Sequence, residues 1–274
     1  MANYKDKVRS YVLGYVEPEK RRLLTQAQLY DPYTEAFLHK AGIQKGMKVL
    51  DVGSGIGNLS LLASKLVGSE GQVTGIDADK EVSRIATQRV QELGIKNVSF
   101  VIGDVFSFDL NRDFDAIIGR LFLLHIKDPA TLLKHLALLL RPGGLIAFEE
   151  IAALGTAIPI CSNIEYIYSL YAKLAEKIGI DFEFGYKLPR IFQTAGLGTP
   201  HLEYFAPTGT GPDWLGYQLL VEGIRTFMPT IQQFHLASVA EIDIDTLENR
   251  IREEVVMKQS TVTLLPHIAA WETV

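Results

Sequence analysis

One cysteine, Cys161, is all the sulfhydryl that this chain of 274 residues carries, which excludes an internal disulfide and any zinc site built from several cysteines. A reducing cytoplasm is the setting that fits such usage. No apolar run approaches the ~18 residues of a membrane span. The first ten residues, MANYKDKVRS, lack the apolar stretch of a secretory signal. Basic residues are short as well: 27 Lys and Arg against 32 Asp and Glu leave a net charge of −5. Nucleic-acid recognition ordinarily needs a basic face, so no nucleic-acid partner is expected. Repeats and low-complexity segments are absent. What remains is an ordinary globular balance, 47% hydrophobic and 22% charged, in a length that suits one large domain or a core with an added cap.

The chain is organised around KVLDVGSGIGNLSLLAS at 48–64. Val49 and Leu50 open a short apolar run that Asp51-Val52 closes. Gly53, Gly55 and Gly57 follow at alternate positions, and Leu59, Leu61, Leu62 and Leu66 then recur with a helical period. This reads as a buried strand, a glycine turn and a helix start. Glycines in such a turn take φ > 0 and bring amides close to a ligand at the positive end of a helix.

Four further strands end in polar residues. Residues 72–76 run into Asp77, where a carboxylate can accept from both hydroxyls of a ribose. Residues 98–102 run into Gly103-Asp104-Val105-Phe106, and 114–118 end at Gly119-Arg120. Residues 145–148 follow the turn Arg141-Pro142-Gly143-Gly144 and end in Glu149-Glu150. In open α/β sheets, ligands bind at these carboxyl ends.

In order and spacing, VLDVGSGIG at 49–57, VTGIDAD at 73–79, FVIGDVF at 100–106, FDAIIGR at 114–120 and LRPGGLIAFEE at 140–150 resemble a class I S-adenosylmethionine-dependent methyltransferase. The resemblance covers roughly residues 40–151, and its motifs are specific for the family but not for a substrate. It implies a Rossmann-like α/β fold: a seven-stranded sheet with an antiparallel last strand, helices on both faces, and helical cap or lid insertions. It also implies S-adenosyl-L-methionine as cofactor and S-adenosyl-L-homocysteine as product. Gly53, Ser54, Gly55 and Gly57, with Asp51 and Asn58, would hold the methionine part. Asp77 would hold the ribose, and Asp104 and Val105 the adenine, with Ala78 and Phe106 also binding the cofactor. The rival is the dinucleotide fingerprint G-x-G-x-x-G, but its final position is Asn58 where Gly or Ala is expected.

Around that core the chain reads as one domain: an N-terminal helical lid at 1–44, a cofactor-binding core at 45–151, and helical cap insertions at 152–186 and 206–240. The lid reads as two helices, near Glu17–Leu29 and Pro32–Ala41, with Pro18 in a first turn. The sharper reading closes Tyr15 and Gln26 over the cofactor, and the plainer one packs the helices beside the sheet. Glu19 to Arg22 read as a solvated face. Helices are also expected over 79–93 with Asp79 as N-cap, 129–139, 163–178, 188–196, 213–237 with a kink or break at Pro229, and 245–257. The last strand reads as 261–265 with 267–271, broken near Pro266. Tyr166, Tyr168 and Tyr171, with Phe182 and Phe184, could wall an apolar site. The aromatic helices also leave a homodimer through the insertions open.

Four polar candidates surround the methyl position that the resemblance implies. Arg120 could bind the methionine carboxylate or make a surface ion pair. His125 could take a proton from an acceptor or be a structural histidine. Of Glu149 and Glu150, which point to opposite faces of a strand, one would face the pocket as a catalytic carboxylate while the other caps or pairs elsewhere. Asp109, Asp113 and Asp115 sit at the wrong end of the sheet, so no metal is expected. An activated methyl group needs only an aligned acceptor about 3 Å away and the exclusion of water. The acceptor expected is a small apolar metabolite, aromatic or isoprenoid-like, methylated at O, N or C. A macromolecule (RNA or protein) and a non-catalytic binding protein of the same fold are the alternatives.

Overall fold

The computed structural model describes residues 17–106 and 113–274. Helix α1 (Glu17–Ala41) leads into strand β1 (Lys48–Val52), α2 (Asn58–Val67), β2 (Gln72–Asp77), α3 (Lys80–Glu92), β3 (Val98–Ile102), β4 (Phe114–Arg120), α4 (Pro129–Ala137) and β5 (Leu140–Ile151). After these come β6 (Thr156–Ile158), α5 (Ser162–Ile178), α6 (Leu188–Thr194), β7 (His201–Phe205), β8 (Thr208–Gly209) and α7 (Gly216–Gln233). The chain ends with α8 (Val239–Ile242), α9 (Ile244–Lys258), β9 (Thr261–Thr263) and β10 (His267–Thr273). Tyr15 and Asp109, both named above, lie outside the described residues.

Seven strands form one sheet in the order β3-β2-β1-β4-β5-β10-β7. Its first five strands are parallel, and β10 runs antiparallel to both β5 and β7, as the resemblance implies. Successive residues feed opposite cores: Val49, Ile118 and Ala147 join one apolar cluster, and Leu50, Ile117 and Ile146 join the other. That is the period of two of a strand covered on both faces. Local signals set the crossover helices. Asp79 accepts from the amides of Glu81 and Val82 to start α3, and Asp128 accepts from Thr131 ahead of Pro129 to start α4.

Several expectations are corrected. The two lid helices are one helix, α1, that runs through Pro32. A proline inside a helix forfeits one hydrogen bond, but Tyr30, Thr34, Phe37 and Leu38 around it are all at most 2% exposed, and tertiary packing outweighs the local penalty. Helix α7 likewise continues through Pro229 without a break. The segment Arg141 to Gly144 is not a free turn but part of β5, at an irregularity in its register with β4. The final strand is two strands in two sheets. Thr261–Thr263 pairs with β6 and β8 in a small antiparallel sheet, while His267–Thr273 joins the main one. Pro266, without an amide, stands between them and accepts from the amide of Ala152 at 2.7 Å. The small sheet ties both insertions to the segment entering β10. Tyr168, Tyr171 and Tyr217, aromatics of the insertions, are buried inside the chain. No helix among the described residues is long and apolar enough to cross a membrane.

A buried polar chain joins α1 to the sheet. Glu149, wholly buried on β5, accepts from the Thr34 hydroxyl at 2.7 Å and meets His267 Nδ1 at 2.6 Å. Arg120 Nη1 donates to Thr34 at 3.1 Å and to Asp31 at 2.8 Å. Tyr30 stacks on His267, with ring centroids 4.3 Å apart, and donates to the Leu265 carbonyl at 2.8 Å. Thr34→Val keeps the side-chain shape but removes the donor to Glu149 and the acceptor for Arg120. Stability in urea unfolding should fall by about 1–3 kcal/mol, the cost of an unmet buried polar group. An unchanged midpoint would show that the hydroxyl does not anchor the helix.

Candidate functional site

A cavity of about 980 Å³ opens over the carboxyl ends of β1, β2 and β4 and extends beneath α1 and the insertions, a volume at the upper end for small-molecule sites. Its floor is polar. Asp77 accepts from the Gly55 amide at 3.0 Å and from the Asp79 amide at 2.9 Å, one bond on each oxygen. Each oxygen keeps a lone pair for a further donor. Asp51 accepts from the Ser60 hydroxyl at 2.5 Å. Helix α2 begins after Gly57 with no side chain closing its first amides, so its positive end is available to a ligand.

Gly53 is required twice over. Its φ of 68° lies in the left-handed region, and a Cβ there would fall 2.2 Å from the ring of Phe122. Phe122 belongs to the turn after β4, where Leu121 takes φ 54°. Glu150 holds that turn: its Oε1 accepts from the amides of Phe122 at 3.0 Å and Leu123 at 2.6 Å.

Burial sets the proton affinities here. It pushes Asp51 up to about 7 against the opposing Ser60 hydroxyl and Arg120 charge. It raises Asp77 too, opposed by the Asp79 and Gly55 amides. Glu150, wholly buried, is pushed up to about 8 by desolvation, with the Leu123 and Phe122 amides opposing. Burial works against the charge of Arg120, but Glu149, Asp31 and Asp51 around it outweigh that and strengthen its hold on its proton.

Of the residues singled out in the sequence, Gln26, Asp51, Gly53, Ser54, Gly55, Asn58, Asp77, Ala78, Val105, Arg120 and His125 share this one cavity wall. Gly57, Asp104, Phe106, Glu149 and Glu150 are not on it. Gly57 packs on Phe100, and Asp104 accepts from the amide of Phe106 at 2.9 Å. The two glutamates do diverge to opposite faces, but neither reaches the pocket, because β5 has not ended: one is taken by α1 and β10, the other by the Phe122 turn. Arg120 is no surface pair, its side chain being 9% exposed.

Two charged contributors escaped the reading of the sequence. Glu19 and Arg22 are not a solvated face: Glu19 is fully buried, and Arg22 lines the cavity, paired to Glu19 at 2.7 Å and donating to Gln26 at 3.1 Å. The signal was there, since Arg22, Gln26 and Tyr30 are spaced i, i+4, i+8 on one helix face. Phe122 and Phe227 also line the wall. Beyond the polar floor the cavity is apolar, bounded by Tyr30, Tyr171, Phe182, Leu220, Phe227 and Leu264.

The donor set fits an adenosine carrying an amino-acid tail. Asp77 offers lone pairs for vicinal hydroxyls. The Ser54 hydroxyl, in the glycine turn, is buried with no hydrogen-bond partner among the described residues, an orphan that a polar ligand would satisfy. The Arg120 guanidinium lies on the same wall for a carboxylate.

Comparison with known proteins agrees with this geometry. The family model described as a methyltransferase domain matches residues 43–188. A demethylmenaquinone methyltransferase of Staphylococcus aureus is 32% identical over 138 residues, 50% of this chain and 54% of that protein. Its counterpart from Staphylococcus epidermidis is 34% identical over the same shares. The chain thus matches about half the length of these relatives. Among solved structures, a SAM-dependent methyltransferase from Aquifex aeolicus superimposes with a TM-score of 0.51 at 24% identity, covering 70% of this chain and 92% of that one. Phosphoethanolamine N-methyltransferase 2 of Haemonchus contortus, in complex with S-adenosyl-L-methionine, superimposes with a TM-score of 0.52 at 18% identity. It covers 86% of this chain and 51% of that one. Likenesses at this identity establish the fold.

The raised carboxyls make stability depend on pH. The folded chain holds the Asp51 and Glu150 protons up to about 7 and about 8, whereas an unfolded chain releases them near the ordinary carboxylate value of about 4. Between those limits the folded state binds more protons, so stability falls as pH rises from about 4 to about 8. Glu150→Gln should flatten the upper part of that fall in urea midpoints measured across the range. An unaltered slope would mean that Glu150 is already ionised in the fold.

Proposed function

Because this chain belongs to the S-adenosylmethionine-dependent methyltransferase family, whose domain it carries at residues 43–188, we propose that it methylates a small apolar acceptor held beside the cofactor in one cavity. The observation that carries this reading is the continuity of that cavity, from the polar strand tips to a lobe walled by aromatic and leucine side chains. When bound, S-adenosylmethionine supplies a methyl group already activated on a sulfonium.

The chain's own residues then bind, orient and exclude water. Asp77 accepts from the ribose hydroxyls, and Ser54, the α2 amides and Arg120 take the amino-acid end. Ala78 and Val105 flank the nucleoside as wall residues. Phe122, held by Glu150, covers the glycine turn. Tyr30, Phe182 and Phe227 keep water from the transfer path, so proximity and desolvation supply most of the acceleration. His125, half-buried on the same wall, is the group to which we assign any proton released by the acceptor. Glu149 and Glu150 act through position: one fixes α1 over the sheet and the other fixes the turn that carries Phe122.

An acceptor with an aromatic or isoprenoid body suits the apolar lobe, and the names of the relatives, demethylmenaquinone methyltransferases, point the same way. Calorimetric titration with S-adenosylmethionine and S-adenosylhomocysteine should give micromolar binding to the wild type. Asp77→Ala should weaken both by about ten- to a hundredfold, the loss of hydrogen bonds to a charged acceptor. Absence of binding to the wild type would contradict the reading.

A further inference from the structure

Four tyrosines of the chain are buried among the described residues: Tyr30, Tyr168, Tyr171 and Tyr217. Three of them donate to a backbone carbonyl, Tyr30 to Leu265 at 2.8 Å, Tyr168 to Thr263 at 3.1 Å and Tyr217 to Gly211 at 2.8 Å. Tyr171, 6% exposed, makes no hydrogen bond to any described residue, and it lines the apolar lobe of the cavity. A phenol that opens on an apolar cavity ordinarily finds a partner in what fills it. We propose that the partner of the Tyr171 hydroxyl is an oxygen atom of the acceptor, a carbonyl or phenolic oxygen on an otherwise apolar body, so that Tyr171 selects the acceptor and sets its orientation. This rests on the small apolar acceptor argued above and adds the one polar feature that acceptor carries.

The surroundings are built for it. Helix α5 supplies Tyr171, and its ring is gripped by Tyr168 at 6.2 Å between centroids, and by Phe182 and by Phe227 at 6.0 Å. A ring clasped on three sides cannot swing its hydroxyl towards another partner. Against the hydroxyl, α7 places Gly223, which also lines the cavity. A Cβ at that position would lie 1.9 Å from the Tyr171 oxygen. The glycine is therefore what leaves the hydroxyl its place. Burial raises the pKa of this phenol, with Arg22 opposing and Glu19 adding to the rise. The group stays protonated and serves as a donor, not a base. An apolar ligand that lacks an oxygen would leave the hydroxyl unpaired, and sites of this kind discriminate against such analogues.

The test uses the full chain saturated with S-adenosylhomocysteine and two probes of one carbon skeleton, tetralin and α-tetralone, which carries a carbonyl. Dissociation constants are taken from ligand-detected NMR titrations on the wild type, Tyr171→Phe and Gly223→Ala. The quantity of interest is the preference for the ketone over the hydrocarbon, which general damage to the lobe would not move. That preference should drop about two- to tenfold in Tyr171→Phe, the worth of one neutral hydrogen bond. It should drop likewise in Gly223→Ala, whose methyl group displaces the hydroxyl. Both probes binding with the same preference in wild type and Tyr171→Phe would overturn the role of Tyr171 and leave the acceptor reading standing. Neither probe binding to a wild type that does bind S-adenosylhomocysteine would overturn the acceptor reading and this assignment with it.

Discussion

Glu149 has no water to turn to. A carboxyl group wholly inside a sheet is tolerated only where hydrogen-bond partners meet it, and here the partners come from two distant parts of the chain, Thr34 of α1 and His267 of β10. That requirement draws the N-terminal helix across the sheet at the point where the parallel strands give way to the antiparallel one. Arg120 extends the chain of contacts from Thr34 to the cavity wall. The roof of the site and its floor are therefore fixed to the same buried group. Breaking such a group by removing one partner costs more than the pair is worth in the intact fold, so the arrangement holds position more than it adds stability.

The cavity follows from that placement. With α1 lying against α7 and the strip of residues ahead of β10 tied into the small sheet, an apolar lobe is enclosed directly beside the strand tips. Polar chemistry stays where strands end, because only there do a glycine turn, a helix start and unpaired carboxylate lone pairs coincide. The lobe, by contrast, is made of side chains borrowed from α1, both insertions and the strip ahead of β10. Cofactor recognition and acceptor recognition thus come from different layers of the chain and meet only in space.

The same division explains what could be read from the sequence. Asp51, Gly53, Gly55 and Asp77 were legible because each stands at a strand end whose apolar run and turn residues are local, and the seven-stranded sheet was implied by the family resemblance that the motifs carry. Glu149 and Glu150 were visible as unusual, but their roles were not, since those depend on partners 27 to 118 positions away. Pro32 misled in the ordinary way: a local helix breaker was overridden by burial on both sides of it. Arg22 was missed although its spacing to Gln26 put it on the right face, because a run of charges resembles solvated surface. The split of the last strand needed the small sheet, whose partners at 156–158 and 208–209 are too short to announce themselves.

The central claim is that one cavity seats cofactor and acceptor side by side, with the transfer path buried. A crystal structure of the chain with S-adenosylhomocysteine tests it most directly. The account predicts the ribose on Asp77, the amino-acid end near Ser54 and Arg120, and the sulfur turned into the apolar lobe between Phe122 and Tyr30. A sulfur turned to bulk solvent, or an adenosine lying in the apolar lobe, would contradict it.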